Sequence, residues 1–239
     1  MPAFISLIYL SSIIKINTNT KDILSTCKEV IKTIKHKEKI YLILAIVFYS
    51  LTISDGPIIQ IFFQRKQKLE PLQFAVAESF AFISIIFSSI FYNKFLRKIS
   101  HVRVITITSI IMLLFPWLNI MYGRKVIEPD ATTYLNITSL VGAFLGHISF
   151  LPLAVMAAKF SPKNIEATMY SFYMALFNLM NVISFSASAI LLKTMNIRDY
   201  ESINIWLYYM IDIFSDLVSI YLVQKFVRKS IQSQPQEAD

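Results

Sequence analysis

The residues with chemistry to offer are the ionisable and amide side chains that fall inside apolar stretches. Asp55 stands in Asp55–Gly56–Pro57, within an apolar run over 40–63. Pro57 removes a backbone donor and Gly56 loosens the turn, so the helix should kink there and free a carbonyl beside an acid. An acid at a helix break is how many transporters build a site at mid-membrane. The competing reading makes Asp55 an N-cap after an early helix end. Glu78 falls in the next run, either as a pathway carboxylate or as a charge that snorkels to the interface. His147 follows Gly142 and Gly146, whose small-xxx-small spacing lets two helix backbones approach closely. Its imidazole could relay a proton or touch a ligand, or could be satisfied by a neighbouring helix. Asn178 and Asn181, three apart, share one helix face and can donate and accept amide hydrogen bonds. Ser184, Ser186, Ala187 and Ser188 then form a tightly packed, polar-tolerant stretch. Asp212 and Asp216, four apart, lie on one side of a helix and repel unless partners are found.

Catalytic constellations are missing. The chain has three His (His36, His101, His147) and one Cys, with no metal-ligand spacing, no Gly loop to cradle a phosphate and no G-x-S-x-G nucleophile. The reading is therefore not an enzyme, with no catalytic residue, no metal and no cofactor.

The elements that must position these residues are apolar helices. Of 239 residues, 55% are hydrophobic and only 16% charged, against about 25% charged in an ordinary soluble domain. Mean hydropathy is +0.56. A membrane-sized window finds spans at 40–63, 72–92, 102–121, 134–158, 167–192 and 203–226. Residues 1–14 contain an apolar stub too short to cross about 30 Å of hydrocarbon at 1.5 Å per residue. They read as the end of a truncated transmembrane helix. The expected architecture is all-α: a stub, a linker over 15–39, a six-helix bundle over 40–226 and a disordered tail over 227–239.

Charge sets the orientation. Sixteen of the 23 Lys and Arg lie in the linker and in the loops and tail on its side of the bundle, and seven lie on the other side. The positive-inside bias puts linker and tail in the cytoplasm. In the linker, Ile23, Leu24, Cys27, Val30, Ile31 and Ile34 recur at helical spacing opposite Lys21, Lys28, Lys32 and Lys35. That is a basic amphipathic helix suited to an anionic leaflet. Without interleaved aromatics to stack on bases it offers nothing to nucleic acid. The net charge of +8 thus points to a membrane surface.

One stretch carries a resemblance. Leu151–Pro152, then Phe160–Ser161–Pro162–Lys163–Asn164–Ile165–Glu166–Ala167–Thr168, then Asn178 resembles the folate–biopterin transporter family of the major facilitator superfamily. There a membrane-embedded Pro precedes a C-P-x-x-x-E-A-T-type loop leading into a helix that bears an Asn. Ser161 stands where the family often has Cys, and Asn164 where it has Gly. The superfamily's G-x-x-x-D-R loop motif is not preserved in Phe91–Tyr92–Asn93–Lys94–Phe95–Leu96–Arg97. The resemblance implies the C-terminal half of a transporter of about twelve spans, moving folates or pterins by alternating access. It also implies a plasma-membrane location, with either a missing N-terminal half or a second copy as partner. Asp55, Glu78, His147, Asn178 and Asn181 are the expected substrate or proton-pathway residues. Pro162, Lys163 and Glu166 are expected either to tether two helices or to gate through charge pairing. A transporter of an unrelated small solute and a non-transporting half-protein stay open as alternatives.

Overall fold

A computed structural model describes residues 28–162, 165–198 and 200–233. Its helices are α1 (Lys37–Ser50), α2 (Gly56–Arg65), α3 (Pro71–Phe91), α4 (His101–Met112), α5 (Leu114–Gly123), α6 (Ala131–Lys159), α7 (Glu166–Thr194) and α8 (Ile205–Gln232). A π-helical turn, Tyr92–Leu96, prolongs α3. Among the described residues there is no strand.

The ends of these helices are legible in local chemistry. Asp130 caps α6, its carboxylate accepting from the Thr133 amide at 3.0 Å and the Thr133 hydroxyl at 3.2 Å. This exposed carboxyl is held below the usual carboxylate range by those bonds. α3 opens with Pro71 in its first turn and a Glu70–Gln73 capping box. α4 and α5 meet at Leu113, where Pro116 lacks the N–H that would bond to the carbonyl of Met112.

Among the described residues, five helices are long and apolar enough to cross a membrane: Pro71–Leu96, His101–Gly123, Ala131–Lys159, Glu166–Thr194 and Ile205–Gln232. The span expected over 40–63 is not among them. It is split into α1, of 14 residues, and α2, of 10, with residues 51–55 non-helical between. The expected kink at Asp55–Gly56–Pro57 is thus a full break that begins at Leu51. Pro57 disfavours helical geometry at the residue before it and clashes with a carbonyl one turn earlier, at Ile53. At the other end, α8 stays helical to Gln232, past the boundary expected at 226.

The break is held by side chains from α7 and α8. The amide of Ile53 donates to Ser215 Oγ at 2.9 Å, and that of Ser54 to Ser188 Oγ at 2.8 Å. The Tyr208 hydroxyl donates to the carbonyl of Ser54 at 2.5 Å, Ser219 Oγ to that of Phe48 at 2.7 Å, and Ser184 Oγ to that of Thr52. Unwound backbone inside an apolar bundle survives only where such partners replace water. Ser184 and Ser188, one turn apart, therefore do more than permit close packing.

Two buried clusters flank the break. One gathers Ile58, Phe62, Phe63, Tyr122, Tyr134, Tyr200 and Tyr209. The other gathers Leu42, Ile46, Leu153, Met156, Tyr173, Val223 and Val227, with Val30, Ile34 and Val102 packed against it. Residues 28–34 of the linker are helical; the stub over 1–14 lies outside the described residues. Large side chains such as Phe82, Phe87, Leu207 and Phe214 face outward, 57–68% exposed, as a bilayer-facing surface requires.

Candidate functional site: an acidic cavity at the helix break

The break brings Asp55 beside two carboxylates, Asp212 and Asp216, that lie far along the chain on α8. Asp55, Asp212 and Asp216 line one cavity of about 180 Å³ with Thr52, Met112 and Pro116. A second, of about 150 Å³, adjoins it through Thr52, Met112 and Asp216 and extends to Tyr49 and Ser109. Each is smaller than the ~300–1,000 Å³ typical of a site for a drug-sized ligand. In this conformation there is room for a ring or a few waters, not for a long ligand.

The three acids differ in their support. Asp55 sits at the N-cap position of α2, yet its side chain makes no cap bond. It instead accepts from Asn119 Nδ2 at 2.5 Å, while Asn119 Oδ1 accepts from the Tyr134 hydroxyl at 2.8 Å. The two bonds fix which way the amide points. Tyr134 is in turn stacked on Tyr122, with ring centroids 4.0 Å apart. Of the two readings of Asp55, the N-cap is therefore present in position only, and the carboxylate is turned toward the cavity wall. Asp212 is 3% exposed, and among the described residues its Oδ2 has no hydrogen-bond partner. Among the described residues, no Lys or Arg lines either cavity. Three carboxylates sharing a desolvated pocket cannot all keep their charge without a proton, a cation or donor groups among them. The site is built to accept hydrogen bonds or positive charge.

The other expected site residues do not join it. Glu78 is exposed on α3, and Asn178 and Asn181 are exposed on α7. His147 Nε2 lies 3.0 Å from Ser89 Oγ, across the packed α3–α6 pair. It is thus satisfied by a neighbouring helix, though the preceding Gly146 carbonyl accepts from Tyr49 at the second cavity. Gly142 and Gly146 permit no close backbone approach: a Cβ at either would meet only the side chains of Phe115 and Met112, at 3.6 and 3.8 Å. Pro162 follows α6, Glu166 is the exposed first residue of α7, and Lys163 lies outside the described residues. Asn119, Tyr134 and Tyr208 were not expected at a site. Asn119 had a signal, as an amide inside an apolar run; the two tyrosines had none beyond aromatic abundance.

A family model described as "BT1 family" matches residues 8–238. A folate-biopterin transporter of Synechocystis sp. is 27% identical over 133 residues, which cover 54% of this chain and 27% of that relative. The chain thus matches about a quarter of the relative's length. No solved structure matches. With a family match across nearly its whole length and five helices of membrane-spanning character, the chain is a multi-pass membrane protein and belongs to the BT1 family, that of the folate–biopterin transporters.

Proposed function

We propose that the chain moves a folate- or pterin-type molecule across the membrane by alternating access, with the broken α1–α2 segment at the centre of the substrate path. The observation that carries this reading is the cavity at the break, where Asp55, Asp212 and Asp216 converge without a resident cation. A pterin ring presents a fork of N–H donors that a carboxylate can accept in bidentate fashion. The unpartnered Oδ2 of Asp212 and the wall formed by Asp55 are acceptors of that kind. Family membership supports a transporter of this class, and the relative's name supports the substrate class.

The α1–α2 segment is proposed as a sixth crossing, making with the other five helices one half of a major-facilitator bundle. A folate also carries an anionic glutamate tail, and the two cavities offer no cation to it. That cation, and the wall facing exposed Asn178 and Asn181, are assigned to a second half or a second copy. The loop-charge bias supports a cytoplasmic linker and tail, and the plasma membrane is proposed as the location on the family resemblance alone.

The test is uptake of radiolabelled folate and of a pterin in cells lacking their own route, comparing the chain expressed alone or with an upstream extension against the variants Asp55→Asn and Asp212→Asn. Loss of uptake at unchanged membrane abundance is the expected result. Full uptake in both variants would remove the cavity from the path. Uptake of neither compound by the parent, present in the membrane, would remove the substrate class.

A further inference from the structure

A groove that shares no lining residue with the acidic cavity or its neighbour opens between the start of α4 and the end of α8. Its volume is about 480 Å³, and Ser100, Arg103, Thr106, Gln224, Arg228 and Gln232 line it. Both arginines are exposed. Among the described residues neither makes an ion pair or a cation–π contact. Two guanidiniums, two amides and the Ser100 hydroxyl around one opening form an anion receptor, since guanidinium matches phosphate oxygens in bidentate geometry; the Thr106 hydroxyl is spent on the Val102 carbonyl at 2.7 Å. The hydroxyl of Ser100, the N-cap of α4, makes no cap bond and remains available.

The position of the groove says which anion. Val102 and Val227 belong to one packed cluster with Phe160, so the start of α4 and the ends of α6 and α8 lie at the same end of the bundle. That end also carries Lys159, Lys225 and Lys229. Just inside it, α4 turns Ile107, Ile110 and Ile111 outward, 51%, 53% and 40% exposed. The polar mouth therefore continues into an apolar stripe along the outside of the bundle. A soluble anion uses only the mouth; an amphiphile uses both.

We propose that this groove holds the phosphate of an anionic membrane phospholipid, with Arg103 and Arg228 on the headgroup and an acyl chain along Ile107, Ile110 and Ile111. Basic pockets between helices at a membrane face are a known form of lipid site. The site is independent of the transport reading, because none of its residues lines the acidic cavity.

The test is native mass spectrometry of the purified full chain, titrated in micelles with phosphatidylglycerol or with phosphatidylcholine. Phosphatidylglycerol should be retained preferentially. At about fivefold for each guanidinium removed, R103Q/R228Q should weaken that retention about 25-fold. K193Q/R198Q, at the opposite end, should leave it unchanged. R103K/R228K, which keeps charge and fold but loses the fork, should fall between parent and double Gln variant. Equal retention by parent and R103Q/R228Q, or equal retention of the two lipids, overturns the proposal. Displacement of the lipid by millimolar inorganic phosphate, with no effect of acyl-chain length, would assign the mouth to a soluble phosphate and overturn the lipid form.

Discussion

The bond between Asn119 and Asp55 offers a quantitative test of what the acidic cavity is. Asn119 is 5% exposed and donates to Asp55 Oδ2 at 2.5 Å. Between neutral partners in a bilayer such a bond contributes about 0.6 kcal/mol on average in double-mutant cycles, and at most about 1.7. With an ionised acceptor the range is about 1.5–3 kcal/mol. A double-mutant cycle on Asp55→Ala and Asn119→Ala cancels the loss of the Tyr134–Asn119 bond, which both Asn119 branches share. We expect a coupling energy of about 2 kcal/mol at neutral pH. Asn119→Ala alone should destabilise by more, about 2.5–3 kcal/mol, because it also leaves the Tyr134 hydroxyl without its acceptor. The assay is reversible unfolding in bicelles or mixed micelles, with tryptophan fluorescence as readout. A coupling near 0.6 kcal/mol would show a neutral Asp55 and refute the charge-assisted bond. Additive single effects would refute the contact itself.

Other outcomes follow from the same packing. Gly123→Ala puts a Cβ 2.5 Å from Tyr200 Cδ1 in a buried cluster. Overpacking costs about 1–3 kcal/mol, which exceeds the helix-propensity gain of about 1 kcal/mol. The variant should melt below the parent, and Tyr200→Ala should abolish the difference. Ser188→Ala removes the acceptor of the Ser54 amide and should cost about 1–3 kcal/mol; faster hydrogen exchange at Ser54 is the readout, and an unchanged rate would count against side chains holding the break. Asp130 contributes as a carboxylate whose pKa is lowered on folding. Its contribution is fully present above the unfolded value, near 4, and is lost as pH falls through the folded value. Asp130→Asn should flatten that part of the stability–pH profile measured by thermal melts.

Much of the architecture was legible without coordinates. Long apolar runs bounded by Pro, Asp and basic residues can only be helices in lipid, because every backbone group must be paired within the segment. Asp55–Gly56–Pro57 marked where that pairing fails, and the Pro162–Thr168 stretch marked the family. How far the first run unwinds was not legible. Propagation back to Leu51 depends on Ser184, Ser188, Tyr208, Ser215 and Ser219 arriving from α7 and α8 to take up the freed groups.

The membership of the site was likewise a tertiary decision. Helical spacing tells which residues share a face, as for Asn178 with Asn181 or Asp212 with Asp216, but not what that face meets. Packing of α8 against α1 turns Asp212 inward beside Asp55, while the orientations of α3 and α7 leave Glu78, Asn178 and Asn181 outside. The amino-acid sequence by itself determined the apolar helices, the place of the break and the family. Only the tertiary structure decided which carboxylates share a cavity, because the period of one helix carries no information about the rotation of its neighbours.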